Sequence, residues 1–155
     1  MRTFAALALA AAVGLSGPAV AADWEVGGGA DAMTDAVGMV ARVEGADGSL
    51  VVGCTDGRLG ILVNFDSFLG RLRSQPTRKF MYRVDLSAPL SSNRSYGDDY
   101  VLIGGEDAVV LASQLRLATL FRARAWTLTD RQVDLAIEVG GGAGAIDKVL
   151  DACGY

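Results

Sequence analysis

Residues 37–65 read VGMVARVEGADGSLVVGCTDGRLGILVNF and carry two Asp-Gly pairs, Asp47-Gly48 and Asp56-Gly57, each set between aliphatic runs. Val37, Met39, Ala41 and Val43 alternate with Gly38, Val40, Arg42 and Glu44, the period-two pattern of a half-buried strand. Asp-Gly between two such runs is a strong hairpin signal, because a tight hairpin needs positive φ at its central positions. The stretch therefore predicts a three-stranded antiparallel meander, its second strand running through Leu50–Cys54 and its third through Gly60–Phe65.

Outward from this meander the chain changes character several times. Residues 66–79 read as a loop, with Arg71, Arg73, Arg78 and Lys79 placed around Pro76. A further strand is predicted over residues 79–85, with Phe80, Tyr82 and Val84 on one face and Arg83 and Asp85 on the other. Residues 86–99, with Pro89, Ser91, Ser92, Asn93 and Gly97, predict the longest irregular segment. From residue 106 to 119 the spacing of Val109, Val110, Ala112, Leu117 and Leu120 predicts a helix, opened by Glu106-Asp107 at its electropositive end. A strand over 120–128, a turn at Thr129-Asp130, a strand over 133–139 and a short helix over 143–153 complete the chain. The class is α+β: an antiparallel β-sheet, meander plus hairpin, with two helices and one disulfide staple.

The N-terminus reads as an address. Met1-Arg2, the apolar run Phe4–Leu15, a break at Ser16-Gly17-Pro18 and the A-x-A pattern of Ala19 and Ala21 predict a secretory signal over residues 1–22, cleaved after Ala21 or Ala22. The apolar run is shorter than the roughly 20 residues of a membrane span, so no stable membrane anchor is expected. Residues 23–155 then form one domain, delivered to the periplasm or beyond it. There the two cysteines, Cys54 and Cys153, are expected to pair, tying the C-terminal helix to an early strand. No C-x-x-C is present to lower a thiol pKa, so the pair reads as structural.

Composition removes whole classes of chemistry. Histidine is absent, which excludes a Ser-His-Asp triad, a Cys-His dyad and a His-ligated metal. A net charge of -4 and a pI near 4.7 argue against a nucleic-acid partner. Gly140–Ala145 fits G-x-G-x-x-A between a strand and a helix, but no second strand and ribose-binding carboxylate follow, so no dinucleotide and no other cofactor is expected. Asp31 with Asp35, and Asp98 with Asp99, match neither a glycosidase pair nor a calcium loop; no catalytic residue and no metal site are assigned. Arg83, Asp85 and Arg124 could gather across an antiparallel sheet as a carboxylate or phosphate clamp, or as a solvated ion-pair ladder. Arg122 has the same i, i+2 spacing to Arg124 as Arg83 has to Asp85. Trp24 and Trp126 read as apolar anchors of the core.

A Trp near the mature start, Asp31-Ala32-Met33-Thr34-Asp35, the strand bearing Cys54, the Tyr82-Arg83-Val84-Asp85 strand and the Asp151-Ala152-Cys153 end together resemble the VasI/TagO-type proteins associated with bacterial type VI secretion. The resemblance implies a small exported domain with an accessory, non-enzymatic role and brings no catalytic residues. The expectation is a periplasmic binding protein that contacts another envelope or secretion component. Its candidate surface is Arg71, Arg73, Arg78, Lys79, Arg83, Asp85, Tyr96, Asp98, Asp99 and Tyr100. The alternative is an inhibitor or immunity protein that plugs a cell-wall hydrolase with the acidic loop around Asp98-Asp99. A His-free hydrolase would need Asp85, Asp98 or Asp99 in a deep pocket beside an arginine.

Overall fold

The computed structural model describes residues 21–30 and 37–155. The export segment falls almost wholly on residues 1–20, and Asp31 and Asp35 on residues 31–36, so these expectations lie outside the described residues. Among the described residues the order of elements is β1 (Trp24–Ala30), β2 (Val37–Gly45), β3 (Gly48–Thr55), β4 (Arg58–Phe65), β5 (Thr77–Val84), β6 (Leu90–Tyr96), β7 (Tyr100–Gly104), α1 (Glu106–Leu115), β8 (Leu120–Trp126), β9 (Gln132–Glu138) and α2 (Ala143–Ala152). The nine strands make one antiparallel sheet in the spatial order β1-β2-β3-β4-β7-β6-β5-β8-β9.

The meander β2–β3–β4 forms, and its two turns use their glycines differently. Asp56 and Gly57 both have positive φ, 51° and 70°, the pair a two-residue type I′ turn requires. At the first turn the tip is Ala46-Asp47, and Gly48 already pairs with Gly45 as the first residue of β3. Gly48 answers a different need: a Cβ there would stand 2.1 Å from the Asn64 carbonyl oxygen on β4. Gly48→Ala is therefore expected to cost about 3 kcal/mol, because β3 and β4 must separate to admit the methyl group. Urea denaturation of the variant measures this, and a change below the midpoint scatter would mean that the hairpin end yields freely.

Four elements depart from the sequence reading. Residues 86–99 are not mainly irregular: 90–96 form β6, which pairs with β5 over Thr77–Tyr82 and with β7 at Ser95 and Tyr96. This strand escapes an apolar-periodicity reading because its core-facing positions are Ser92, Arg94 and Tyr96, beside Phe80 and Arg78. Arg94 is tolerated there because Asp107, in the first turn of α1, meets it at 2.7 Å (Nη2 to Oδ2). β7 and β1 are also additions, the second concealed by Gly27-Gly28-Gly29. Helix α1 ends at Leu115 rather than near Thr119, since the Thr119 and Leu120 amides are taken by the Asp85 carboxylate.

One face of the sheet is buried from β2 to β9, whereas β1 contributes only the half-buried Trp24. Phe80 and Tyr82 of β5 and Phe121 of β8 stack along it with ring centroids 6.0 Å apart. Helix α1 lays Ala108, Leu111, Ala112 and Leu115 over β4 and β7, and α2 lays Ile146, Val149 and Leu150 over β2 and β3. The sheet curls until its two ends meet without a ladder: a Cβ at Gly45, on β2, would stand 2.9 Å from Ile137 Cγ1 on β9. The seam is fastened by the Trp24 indole N–H, which donates to the Val139 carbonyl at 3.0 Å, and by the Ala22 amide, which donates to Gly140 at 2.9 Å. Cys54 and Cys153 form the disulfide, spanning 99 residues between β3 and the end of α2. Among the described residues strand β1 has a neighbour on one side only, so its outer edge carries no ladder there.

Candidate binding groove on the outer face

The outer face of β5, β8 and β9 collects charge by simple alternation. Core-facing Phe80, Tyr82 and Val84 force Lys79, Met81 and Arg83 outward, and core-facing Phe121, Ala123 and Ala125 do the same for Arg122, Arg124 and Trp126. Register then sets the neighbours: Arg83 lies opposite Arg122, Met81 opposite Arg124, Arg124 opposite Asp134, and Arg122 opposite Ala136. These side chains floor an open groove of about 500 Å³, bordered by Pro89 in the β5–β6 connection and by Asp47 in the β2–β3 turn.

The charges in this groove are not equally satisfied. Arg124 holds Asp134 in a two-pronged bond, Nε to Oδ1 at 2.5 Å and Nη2 to Oδ2 at 2.7 Å. The hydrogen bond from Arg124 keeps the Asp134 carboxyl below its ordinary pKa. Beyond the groove on the same face, Lys79 sits over the Trp126 ring, its Nζ 4.9 Å from the centroid. Among the described residues neither Arg83 nor Arg122 makes a salt bridge.

Asp85 is not a member of the cluster expected with Arg83 and Arg124. It follows the end of β5 with φ at 50°, which turns its carboxylate towards the start of β8. There Oδ1 accepts from the Thr119 hydroxyl at 2.8 Å, the Leu120 amide at 2.8 Å and the Thr119 amide at 3.0 Å. The Thr119 hydroxyl and the Leu120 amide are the main reasons its pKa is lowered, with Arg122 adding a smaller pull. Asp85 and Asp134 both bind a proton less readily folded than unfolded. Their stabilisation is therefore complete above about pH 4 and is lost as pH falls through their lowered folded values. Melting temperatures between pH 2 and 7 should show this acid limb, and Asp85→Asn and Asp134→Asn should each flatten part of it. An unchanged slope in both variants would count against the assignment.

The remaining candidate residues fall elsewhere. Arg78 faces the interior, where its guanidinium donates to the carbonyls of Gly70 at 2.5 Å, Trp126 at 3.0 Å and Leu69 at 3.4 Å, with its carbon 4.0 Å from the Tyr96 ring centroid. The buried Tyr96 hydroxyl donates to the Lys79 carbonyl at 2.6 Å, and burial raises its pKa. Arg71 and Arg73 are exposed on the β4–β5 loop, beside the small Leu72–Gln75 bridge. Asp98 and Asp99 are exposed in the β6–β7 turn, with Tyr100 opening β7 beside them. The two Asp carbonyls accept from Leu69, Gly70 and Phe65 at 2.7, 3.0 and 2.7 Å, fastening this turn to the β4–β5 loop. A second cavity, about 490 Å³, lies between Ser67–Leu69 and Thr127–Arg131, lined by Phe68 and Leu128. Asp85, Asp98 and Asp99 line neither cavity.

The structure thus brings Lys79 and Arg83 together with Arg122 and Arg124, and separates them from Arg71, Arg78, Tyr96 and the Asp98–Tyr100 turn. The spacing of Arg122 and Arg124 already hinted at this face, but Asp134 carried no signal until register placed it opposite Arg124. The glycine run at 140–142 has a packing role: a Cβ at Gly142 would stand 2.6 Å from the Trp24 indole, which seals the sheet seam. Among the described residues no cluster of acidic or sulfur ligands could hold a metal ion, and no helix is long and apolar enough to cross a membrane. Comparison with protein-family models, curated proteins and solved structures finds no match to this chain.

Proposed function

We propose that the protein is an exported, non-enzymatic binding protein of the bacterial envelope, which contacts another envelope or secretion component through the groove on β5, β8 and β9. The observation that carries this reading is the pair Arg83 and Arg122, on directly opposed positions of an open groove floor and in no salt bridge among the described residues. The Cys54–Cys153 disulfide fits an oxidising compartment such as the periplasm. The likeness to type VI secretion accessory proteins points to the same class of role.

The test is crosslinking of the oxidised protein in periplasmic extract, with Arg83→Glu/Arg122→Glu as the control. Recovery of one envelope or secretion component by the wild type, reduced at least about tenfold in the double variant, supports the reading. Equal recovery by both proteins moves the working surface away from the groove. A second reading, inhibition of a cell-wall hydrolase, is favoured by one feature: Asp98 and Asp99 are exposed while their backbone carbonyls are held by Phe65, Leu69 and Gly70. An acidic plug held in this way loses little entropy on binding. Asp98→Asn/Asp99→Asn should abolish hydrolase capture under that reading and leave groove-dependent capture intact.

A further inference from the structure

We infer that the groove is a site for a single carboxylate, clamped by Arg83 and Arg122 and presented by an acidic side chain within an apolar segment of a partner protein. This rests on the reading that the protein works by contact through this face.

The first support is placement. Residues directly opposite on antiparallel strands have Cβ atoms about 5 Å apart, and like charges so placed repel. Arg83 and Arg122 are such a pair, and Arg124, which could share an anion with them, is already occupied by Asp134. Asp85, the nearest acidic residue along β5, is committed to Thr119 and Leu120. A bound anion would remove the repulsion, and guanidinium forks are shaped for an oxyanion.

The second support is the charge count, which selects among anions. The lining includes Arg83, Arg122 and Arg124 against Asp47 and Asp134, an excess of one positive charge. That excess matches one carboxylate. A phosphate group, at about -1.5 to -2 near neutral pH, would overfill the site and face both aspartates. Glu138, two residues beyond Ala136 on the same face of β9, lies outside the lining and further disfavours a polyanion that reaches past the groove. The third support is apolar surface: Met81, Pro89 and Ala136 lie among the cations and offer ground for aliphatic side chains flanking the carboxylate.

The test uses the whole oxidised protein, labelled with ¹⁵N, and follows the arginine Nε–H resonances. The probes are N-acetyl-Leu-Glu-Leu-amide, the same peptide with Gln, and inorganic phosphate. The Glu peptide is expected to shift Arg83 and Arg122 at millimolar concentration, with the Gln peptide at least about tenfold weaker and phosphate weaker than the Glu peptide. Arg122→Gln and Arg83→Gln should each lose the binding while the melting temperature holds or rises, because one of two repelling charges is gone. Equal affinity for the Glu and Gln peptides, or tighter binding of phosphate, overturns the inference. Peptide binding without capture of an envelope partner supports the site while defeating the proposed function. Capture that survives Arg83→Glu/Arg122→Glu, without peptide binding, defeats the site and leaves an accessory role through another surface.

Discussion

Replacing Cys54 and Cys153 together with alanine is expected to lower the melting temperature by about 15 °C. Closing a loop of about 100 residues is worth up to about 4.7 kcal/mol in chain entropy, and a domain of this size loses roughly 3 °C per kcal/mol. The arrangement gives the bond few substitutes. Helix α2 has ten residues, too short to persist in water on its own, and its buried contribution is Ile146, Val149 and Leu150. The disulfide holds the end of that helix against β3, where Cys54 is fully buried. Scanning calorimetry with and without reductant, beside the double variant, measures the effect. A fall below about 3 °C would mean that the three apolar contacts hold α2 unaided.

Arg78→Ala is expected to destabilise the fold by about 3 kcal/mol, whereas Arg71→Ala and Arg73→Ala should each fall within about 0.5 kcal/mol of the wild type. All three arginines belong to one basic stretch, and only their surroundings distinguish them. The Arg78 side chain satisfies the carbonyls of Leu69, Gly70 and Trp126 and covers the Tyr96 ring. Alanine would leave those carbonyls without their cation and part the β4–β5 loop from the end of β8. Urea titration of the three variants makes the comparison. Arg78→Lys should recover little, since one ammonium cannot reach across the same acceptors as a planar fork. Equal stability of all three variants would show that backbone bonds from Asp98 and Asp99 suffice to hold the loop.

The elements legible in the sequence were those whose stabilisation is local in pattern. The meander announces itself through alternation and the Asp56-Gly57 turn, α2 through the spacing of Ile146, Val149 and Leu150, and the staple through a cysteine count of two. Strand β6 was not legible, because its inward arginine is balanced by Asp107, thirteen residues further on in a different element. The candidate groove was half legible. Arg83 and Arg124 could be assigned to outward faces from their apolar neighbours, but Arg83 meets Arg122 only through a pairing register some forty residues apart in sequence. Asp85 misled because its backbone leaves the strand with positive φ just where alternation would have kept it beside Arg83. Arg78 misled in the opposite sense: as a cation in a polar run it reads as surface, and three buried carbonyls turn it inward.

The open side of β1 bears on how this protein behaves in a crowded compartment. A bare strand edge invites another chain to add itself, and many proteins deter that with lysine, proline or a bulge. β1 has none of these among Trp24–Ala30; it has Glu25 and three consecutive glycines. A chain that paired with this edge would find no side chains at Gly27, Gly28 and Gly29 to interlock with, and interlocking side chains make such stacks persist. With no side chains to interlock, the glycine run is expected to disfavour fibre growth from this edge. A Gly29→Val protein, where a side chain meets nothing within 4 Å, should scatter light on storage where the parent stays clear.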